Sequence, residues 1–333
     1  MPQKNHNPKK KKRKLLNPFY TVLLVLIVIC IVLCFTVAHY VNMINIVDTG
    51  TRNIISISED LISEKNVRNI LLIGTDSRDS SDRGRSDTII LLSVNEHTQN
   101  MTMVSLMRDM YVDIPNYGKG KINAAYSHGG AELLMDTVEE NFGIRVDDYI
   151  AVNFSSFAGI VDAVGGVEIT LSDAEAAEVN NILRNEVNEL MGDPKDADFL
   201  EKGGTYRLSG KQALCYSRIR YVGDADFERT ERQRTVLNQI VSEARTLNIF
   251  KLDSLLSEAL PQMTTNISKN EMYGYAVKAP MYIFTYDIVQ MRVPVDGSWS
   301  YADIDGESVI SVDFNDNIIS LAENLYEIQY DGN

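Results

Sequence analysis

Two aspartates stand at the edges of apolar runs: Asp76 ends Asn69-Ile-Leu-Leu-Ile-Gly-Thr-Asp76, and Asp87 opens Asp87-Thr-Ile-Ile-Leu-Leu-Ser-Val94. Two carboxylates completed by waters and phosphate oxygens are the usual shell of a hard cation such as Mg2+ or Mn2+. Guanidinium groups accompany them: Arg78, Arg85 and Arg108, then Arg218 and Arg220, then Arg229, Arg232 and Arg234 with Gln233 and Asp226. Forked donors converging on carboxylates can hold a multiply charged phosphate together with its metal. Arg218 and Arg220 alternate by two and point one way in an extended segment, while Arg229 and Gln233, four apart, share a helix face. Asp109, beside Arg108, is a carboxylate able to take a proton from an attacking hydroxyl. The competing reading is one of turn aspartates and surface ion pairs. It accounts for Arg232 and Arg234 better than for Arg85 and Arg108, which sit at the ends of apolar runs.

Those runs read as strands. Continuous Ile, Leu and Val suit strands covered on both faces, and charge at strand ends is where an open α/β sheet builds its sites. Residues 111–123 read as loop, with Pro115, Gly118 and Gly120 as breakers, and 131–142 as a helix stopped by Gly143. Strand 149–154, a helix capped by Ser155, Gly165-Gly166 and strand 167–171 read as a βαβ unit, which makes the sheet at least partly parallel. Helices follow over 173–190, from Ser209 to Cys215, over 229–247, over 252–260 and from the capping box Ser268-Lys-Asn-Glu271. In the helix over 229–247, Val236, Leu237, Ile240 and Val241 make one apolar stripe. A strand over 288–293 and a helix over 316–326 close the chain. The expected fold class is α/β: a single outer domain over 67–328 with a mixed, largely parallel central sheet between helices.

What precedes that domain differs in kind. Residues 1–14 hold Lys4, five of the six residues from Lys9 to Lys14 as lysine, Arg13 and no acid, whereas residues 15–333 carry 25 basic and 46 acidic residues. Phe19 to Ala38 is apolar apart from Thr21 and Thr36, roughly the 20 residues that cross a hydrocarbon core as a helix. The expected organisation is a basic cytoplasmic tail (1–18), one uncleaved transmembrane anchor (19–40), a stalk helix (41–66) and an extracellular domain on the cell membrane, oriented by the positive-inside rule. Cys30 and Cys34 lie at the anchor and Cys215 is the one cysteine beyond it, so no disulfide can form within the outer domain. An exported domain without disulfides suits a bacterial envelope.

The pieces Gly74-Thr-Asp76-Ser-Arg78, Gly84-Arg85-Ser-Asp87-Thr88, Ser105-Leu-Met-Arg108-Asp109, Lys121-Ile-Asn123, Val152-Asn-Phe154 with Gly165-Gly166-Val-Glu-Ile, Ser217-Arg218-Ile-Arg220 and Asp226-Phe-Glu-Arg229 through Arg234 occur in an order that resembles the LytR-CpsA-Psr family. The resemblance is tight over about 67–240 and looser to the C-terminus. It implies transfer of a glycopolymer phosphate, such as teichoic acid or capsule, from a polyprenyl-pyrophosphate carrier to a peptidoglycan hydroxyl. It further implies an apolar channel for the lipid, Mg2+ or Mn2+ on Asp76 and Asp87, and pyrophosphate on Arg85, Arg108, Arg218, Arg220, Arg229 and Gln233. Arg78, Lys121 and Arg232 are further candidates to bind the pyrophosphate, with Asp226 beside them. Two positions depart from the family pattern: Glu228 stands where Gly is frequent, and Met107 where Pro is frequent.

Other classes fit less well. Asp224-Ala-Asp226 is the metal motif of some glycosyltransferases, but the pattern recurs at Asp196-Ala-Asp198 and Asp303-Ile-Asp305 and so discriminates little. A membrane-bound transcription attenuator needs a DNA-binding surface, which a short tail and an acidic domain do not supply, so no nucleic-acid partner is expected. A lipid-pyrophosphate binder or pyrophosphatase without transfer uses the same residues. His97, His128 and Cys215 show no catalytic or metal spacing.

Overall fold

The computed structural model describes residues 34–47, 61–75, 84–222 and 225–328, with backbone alone at 154, 155, 225 and 226. Asp76, Arg78 and most of the expected anchor and stalk lie outside the described residues. Among the described residues no helix is long and apolar enough to cross a membrane. The expected stalk helix does not extend through Leu61 and Ile62, since Ile62 bridges Ile144.

A short helix (α1, 34–41) leads to β1 (Asn45–Ile46), β2 (Val67–Thr75), β3 (Ser86–Asn95) and β4 (Asn100–Leu106). β5 (Tyr111–Ile114) and β6 (Gly118–Lys121) form a hairpin where a loop was expected, and α2 (Ile122–Phe142) follows. The helix expected over 131–142 is the second part of α2, which breaks at Gly130 (φ 73°). Then come β7 (Asp148–Asn153), α3 (Phe154–Ala163), β8 (Val167–Leu171), α4 (Asp173–Ile182), α5 (Asn188–Met191), β9 (Gly204–Leu208) and α6 (Gly210–Ser217). The chain closes with α7 (Ala225–Ala244), α8 (Ile249–Ala259), β10 (Thr264–Thr265), α9 (Lys269–Thr285), β11 (Asp287–Val293), the hairpin β12 (Trp299–Ile304) and β13 (Glu307–Val312), and α10 (Phe314–Tyr326).

The seven-stranded sheet runs β1-β10-β7-β2-β3-β4-β11. Its pairs β1/β10, β7/β2 and β4/β11 are parallel, and β10/β7, β2/β3 and β3/β4 are antiparallel. The sheet is therefore mixed, but not largely parallel as expected. The reason lies in the apparent βαβ unit. Its second strand, β8, leaves the sheet and pairs antiparallel with β9 as a separate ribbon. Asn153 rather than Ser155 caps α3, its side chain accepting from the Ser156 N–H at 2.9 Å. Gly165 and Gly166, both at positive φ, then turn the chain away, and a Cβ on Gly166 would stand 2.7 Å from the Leu208 carbonyl oxygen.

Alternation along the central strands gives the sheet two different faces. Leu71, Ile73, Leu91 and Val104 pack with Leu134, Val138 and Phe142 of α2 and Leu321 of α10 in one buried core. Leu72 and Ile90 point to the opposite face, which α3, α6 and α7 cover incompletely. A second core among α3, α4, α6, α7 and the β8/β9 ribbon braces that layer, with Val161, Leu183, Leu208, Ala213 and Val236 fully buried. β2 and β3 come close at the end of β2: a Cβ on Gly74 would meet Thr88 Cβ at 2.9 Å. Gly74→Ala is expected to destabilise the domain by about 1–3 kcal/mol through overpacking, read as a lowered denaturant midpoint; an unchanged midpoint would show that the strands separate freely.

Candidate functional site

The incompletely covered face encloses a cavity of ≈ 290 Å³. The sheet contributes Leu72, Ile90, Ile150 and Val152 to it, α3 contributes Phe157 and Ile160, and α7 contributes Leu237 and Ile240. Leu237 and Ile240 belong to the stripe seen in the sequence, and Ile240 both lines the cavity and packs on the second core with Val236. The second apolar face of each central strand thus has a use beyond packing.

One end of the cavity is polar, built by Asp87 and Thr88 of β3, Asn153, Ser217 and Arg218 at the end of α6, Arg220, and Arg229 and Gln233 of α7. Arg229 is 2% exposed, so its charge works in a poorly solvated setting where it acts strongly on an anion. Asp87 is shared: Oδ1 accepts from Arg108 Nη1 at 2.5 Å and Oδ2 from Arg220 Nη2 at 3.3 Å. Arg108 Nε also donates to Asp109 Oδ2 at 3.3 Å, and Lys121 Nζ stands 3.3 Å from Asp109 Oδ1. A chain of alternating charge therefore runs from Arg220 through Asp87, Arg108 and Asp109 to Lys121. Arg108, Asp109 and Lys121 form its outer part and do not line the cavity.

Arg218 and Arg220 converge on the polar end, but not through an extended strand. Arg218 is the C-cap of α6, and the segment after it is irregular. What holds that segment is Arg232, 4% exposed by its side chain. Arg232 donates to the carbonyls of Ile219 (3.3 Å) and Val222 (3.1 Å), and to Glu175 Oε1 at 2.9 Å and Glu228 Oε2 at 2.5 Å. Expected as a phosphate ligand, Arg232 instead clamps the loop that carries Arg220; the cavity does not include it. Burial alone would raise the Glu175 carboxyl, but the Ser172 N–H and the Arg232 guanidinium outweigh it and hold Glu175 below the ordinary carboxylate range. Arg85 is exposed just before β3. Asp76, Arg78 and the Asp226 side chain lie outside the described residues.

Comparison with known proteins bears on this arrangement. The LytR_cpsA_psr family model matches residues 36–317, which include the cavity, its arginines and Asp87. The chain belongs to the LytR_cpsA_psr family. A polyisoprenyl-teichoic acid–peptidoglycan teichoic acid transferase, TagU of Enterococcus faecalis, is 37% identical over 221 residues, 65% of this chain and 67% of the relative. TagU of Oceanobacillus iheyensis is 35% identical over 258 residues, 74% of each chain. Among solved structures, one described as TagT bound to LI-WTA matches with a TM-score of 0.63 at 25% identity, covering 85% of this chain and 98% of that one.

Within the family framework, Glu228 does not line the polar end of the cavity, its carboxylate turning one helical turn along α7 to Arg232. Met107, in place of the frequent Pro, is buried in the core at 1% exposed. Among the described residues no group of three or more His, Cys, Asp and Glu is arranged to hold a metal. The donor chemistry at the polar end still fits a hard cation that keeps most of its shell from water and phosphate, since Asp87 is an oxygen donor lining the cavity. Cys215 is fully buried, and burial pushes its thiol up to about 12, which removes it as a nucleophile. Thr88 and Asn153 stand in the motif pieces that carry the resemblance but had no role assigned to them, because a lone polar residue at a strand end carries no spacing signal.

Proposed function

We propose that this chain transfers a glycopolymer, such as teichoic acid or capsule, from a polyprenyl-pyrophosphate carrier to a peptidoglycan hydroxyl, as a phosphotransferase. The observation that carries this reading is the joining, in one cavity, of an apolar barrel lined by Leu72, Ile90, Phe157 and Leu237 to a cluster of Arg218, Arg220, Arg229 and Gln233. An isoprenoid chain matches the first part and a pyrophosphate the second. The names of the TagU relatives support the donor and acceptor classes.

In the proposed reaction the acceptor hydroxyl attacks the polymer-bearing phosphorus. The bond from that phosphorus to the bridging oxygen breaks, and polyprenyl phosphate leaves. Asp109 takes the hydroxyl proton, while Arg218, Arg220 and Arg229 neutralise the leaving phosphate, since such transfers rest on positioning and electrostatics. Asp87, with Asp76, would hold Mg2+ or Mn2+, which supplies further charge neutralisation at the pyrophosphate. Arg108 holds Asp87 and Asp109 in place, Nη1 donating to the first and Nε to the second. An N-terminal anchor with the catalytic domain outside the cell membrane puts the site where both substrates occur.

The test is transfer from a purified polyprenyl-pyrophosphate-linked polymer to peptidoglycan by the full chain. Transfer that stops on chelation and returns with Mg2+ or Mn2+ is the expected result. Donor cleavage to free polymer, equally fast without peptidoglycan, would replace the transferase with a pyrophosphatase.

A further inference from the structure

Phe35, Ile249 and Phe250 are large apolar side chains left 73%, 71% and 80% exposed, and the fold brings them to one end of the molecule. Phe35 lies in the first turn of α1, which carries the last residues of the apolar run from Phe19 to Ala38. Ile249 and Phe250 open α8, where the Asn248 side chain accepts from the N–H groups of Phe250 (3.1 Å) and Lys251 (3.0 Å) and fixes the tip. Farther along α8, Leu255 and Ala259 are buried in the second core, so the helix does not need its exposed pair to stay in place.

Two contacts set α1 and α8 side by side and in the same direction. Tyr40 Oη donates to Asp253 Oδ1 at 2.6 Å, and farther along both segments the Asn45 N–H donates to the Met263 carbonyl at 3.1 Å. Chain position rises together in the two segments, so the start of α8 stands at the same end as the start of α1. Phe35 and Phe250 each lie within about 8 Å of the Tyr40–Asp253 contact, measured along their helix axes. Lys269 Nζ donates to Asn42 Oδ1 at 2.9 Å and braces the junction. Val41, at the far end of α1, is buried, whereas Cys34, Phe35 and Thr36 are exposed, so the helix leaves the domain toward its N-terminus.

The anchored topology proposed above gives this end its surroundings. A chain whose residues 19–38 cross the hydrocarbon core leaves the bilayer at α1, and side chains level with Phe35 meet the boundary between acyl chains and headgroups. Apolar and aromatic side chains are more stable there than in water. We propose that Ile249 and Phe250 insert into the outer leaflet beside the anchor, as a second membrane contact that fixes how the domain sits on the bilayer. Met263, bonded to Asn45, also lines the cavity, so the base of the anchor and the cavity wall share a residue. The contact therefore holds the cavity next to the leaflet that carries an isoprenoid donor. This rests on the membrane-anchored transferase reading and adds the surface by which the domain meets lipid.

The test uses the full chain reconstituted in vesicles of phosphatidylcholine and phosphatidylglycerol, with and without brominated acyl chains. Trp299 is the only tryptophan, so Phe250→Trp adds one emitter at an exposed position, read as the difference from the parent. That added emission should be blue-shifted and lose most of its intensity to brominated lipid, as should that of Phe35→Trp. Quenching at Phe35→Trp with none at Phe250→Trp would overturn the second contact and keep the anchor, and quenching at neither would overturn both. Unquenched emission that shifts blue as protein concentration rises would give the pair to a second copy of the chain and likewise overturn the proposal. Quenching at both positions in a chain that transfers no polymer would uphold the membrane contact and remove the transferase reading.

Discussion

Arg108→Ala should lower polymer transfer by about two to three orders of magnitude, the usual cost of removing one charge-stabilising donor from an active site. Its guanidinium makes two contacts, to Asp87 at 2.5 Å and to Asp109 at 3.3 Å. Its loss leaves Asp87 with Arg220 alone and frees Asp109 from half of its support. Asp87→Ala should cost transfer similarly, because it removes the carboxylate proposed to hold the metal and leaves Arg108 and Arg220 without the acceptor they share. If the two act as one unit, the double variant will be no worse than the poorer single one. Arg145→Ala, an exposed arginine beside Asp147 on β7's approach, should stay within about twofold. The measurement is the initial transfer rate with purified donor; either active-site variant running at the parent rate would sink the assignment.

The second large effect is on folding. Arg232→Ala should destabilise the domain by about 3–5 kcal/mol, because it leaves Glu175 and two loop carbonyls without their buried donor. For a domain of this size that is a fall in Tm of about 10 °C. Arg232→Met keeps most of the packing and isolates the charge. The Glu175 carboxyl is lowered in the folded state from its ordinary 4.5, so its contribution is fully present above that value and is lost as pH falls through the depressed one. The gap in urea midpoint between parent and Arg232→Met should therefore be wide near about pH 7 and narrow toward about pH 3. A variant that keeps its Tm and loses only lipid binding would make Arg232 a ligand after all.

Arg232 also shows why charge clusters are hard to sort from a linear chain. Arg229, Arg232 and Gln233 fall within one turn of α7, yet Arg229 and Gln233 line the cavity and Arg232 faces Glu175 and Glu228. A turn of helix spans enough angle to separate a cavity-lining side chain from a clamp. Which residue does which depends on where α4 and the loop after α6 are packed, and that is long-range information. Lys121, likewise a candidate ligand by motif, reaches Asp109 only because the β5/β6 hairpin folds back, and that hairpin's breakers read locally as loop.

The order of motifs, the apolar runs at 69–73 and 88–94, the cap at Ser209, the capping box at Ser268 and the glycine stop at Gly143 were determined by the sequence alone. Each is a local signal: a cap, a φ that glycine accepts, or a period of side chains. Tertiary structure decided the rest. β8 reads as a sheet strand, but its partner is β9, more than thirty residues away, and no local pattern encodes that choice. The two apolar faces of β2 and β3 look alike in the chain; one became core under α2 and the other a cavity, because α3, α6 and α7 stand off the sheet.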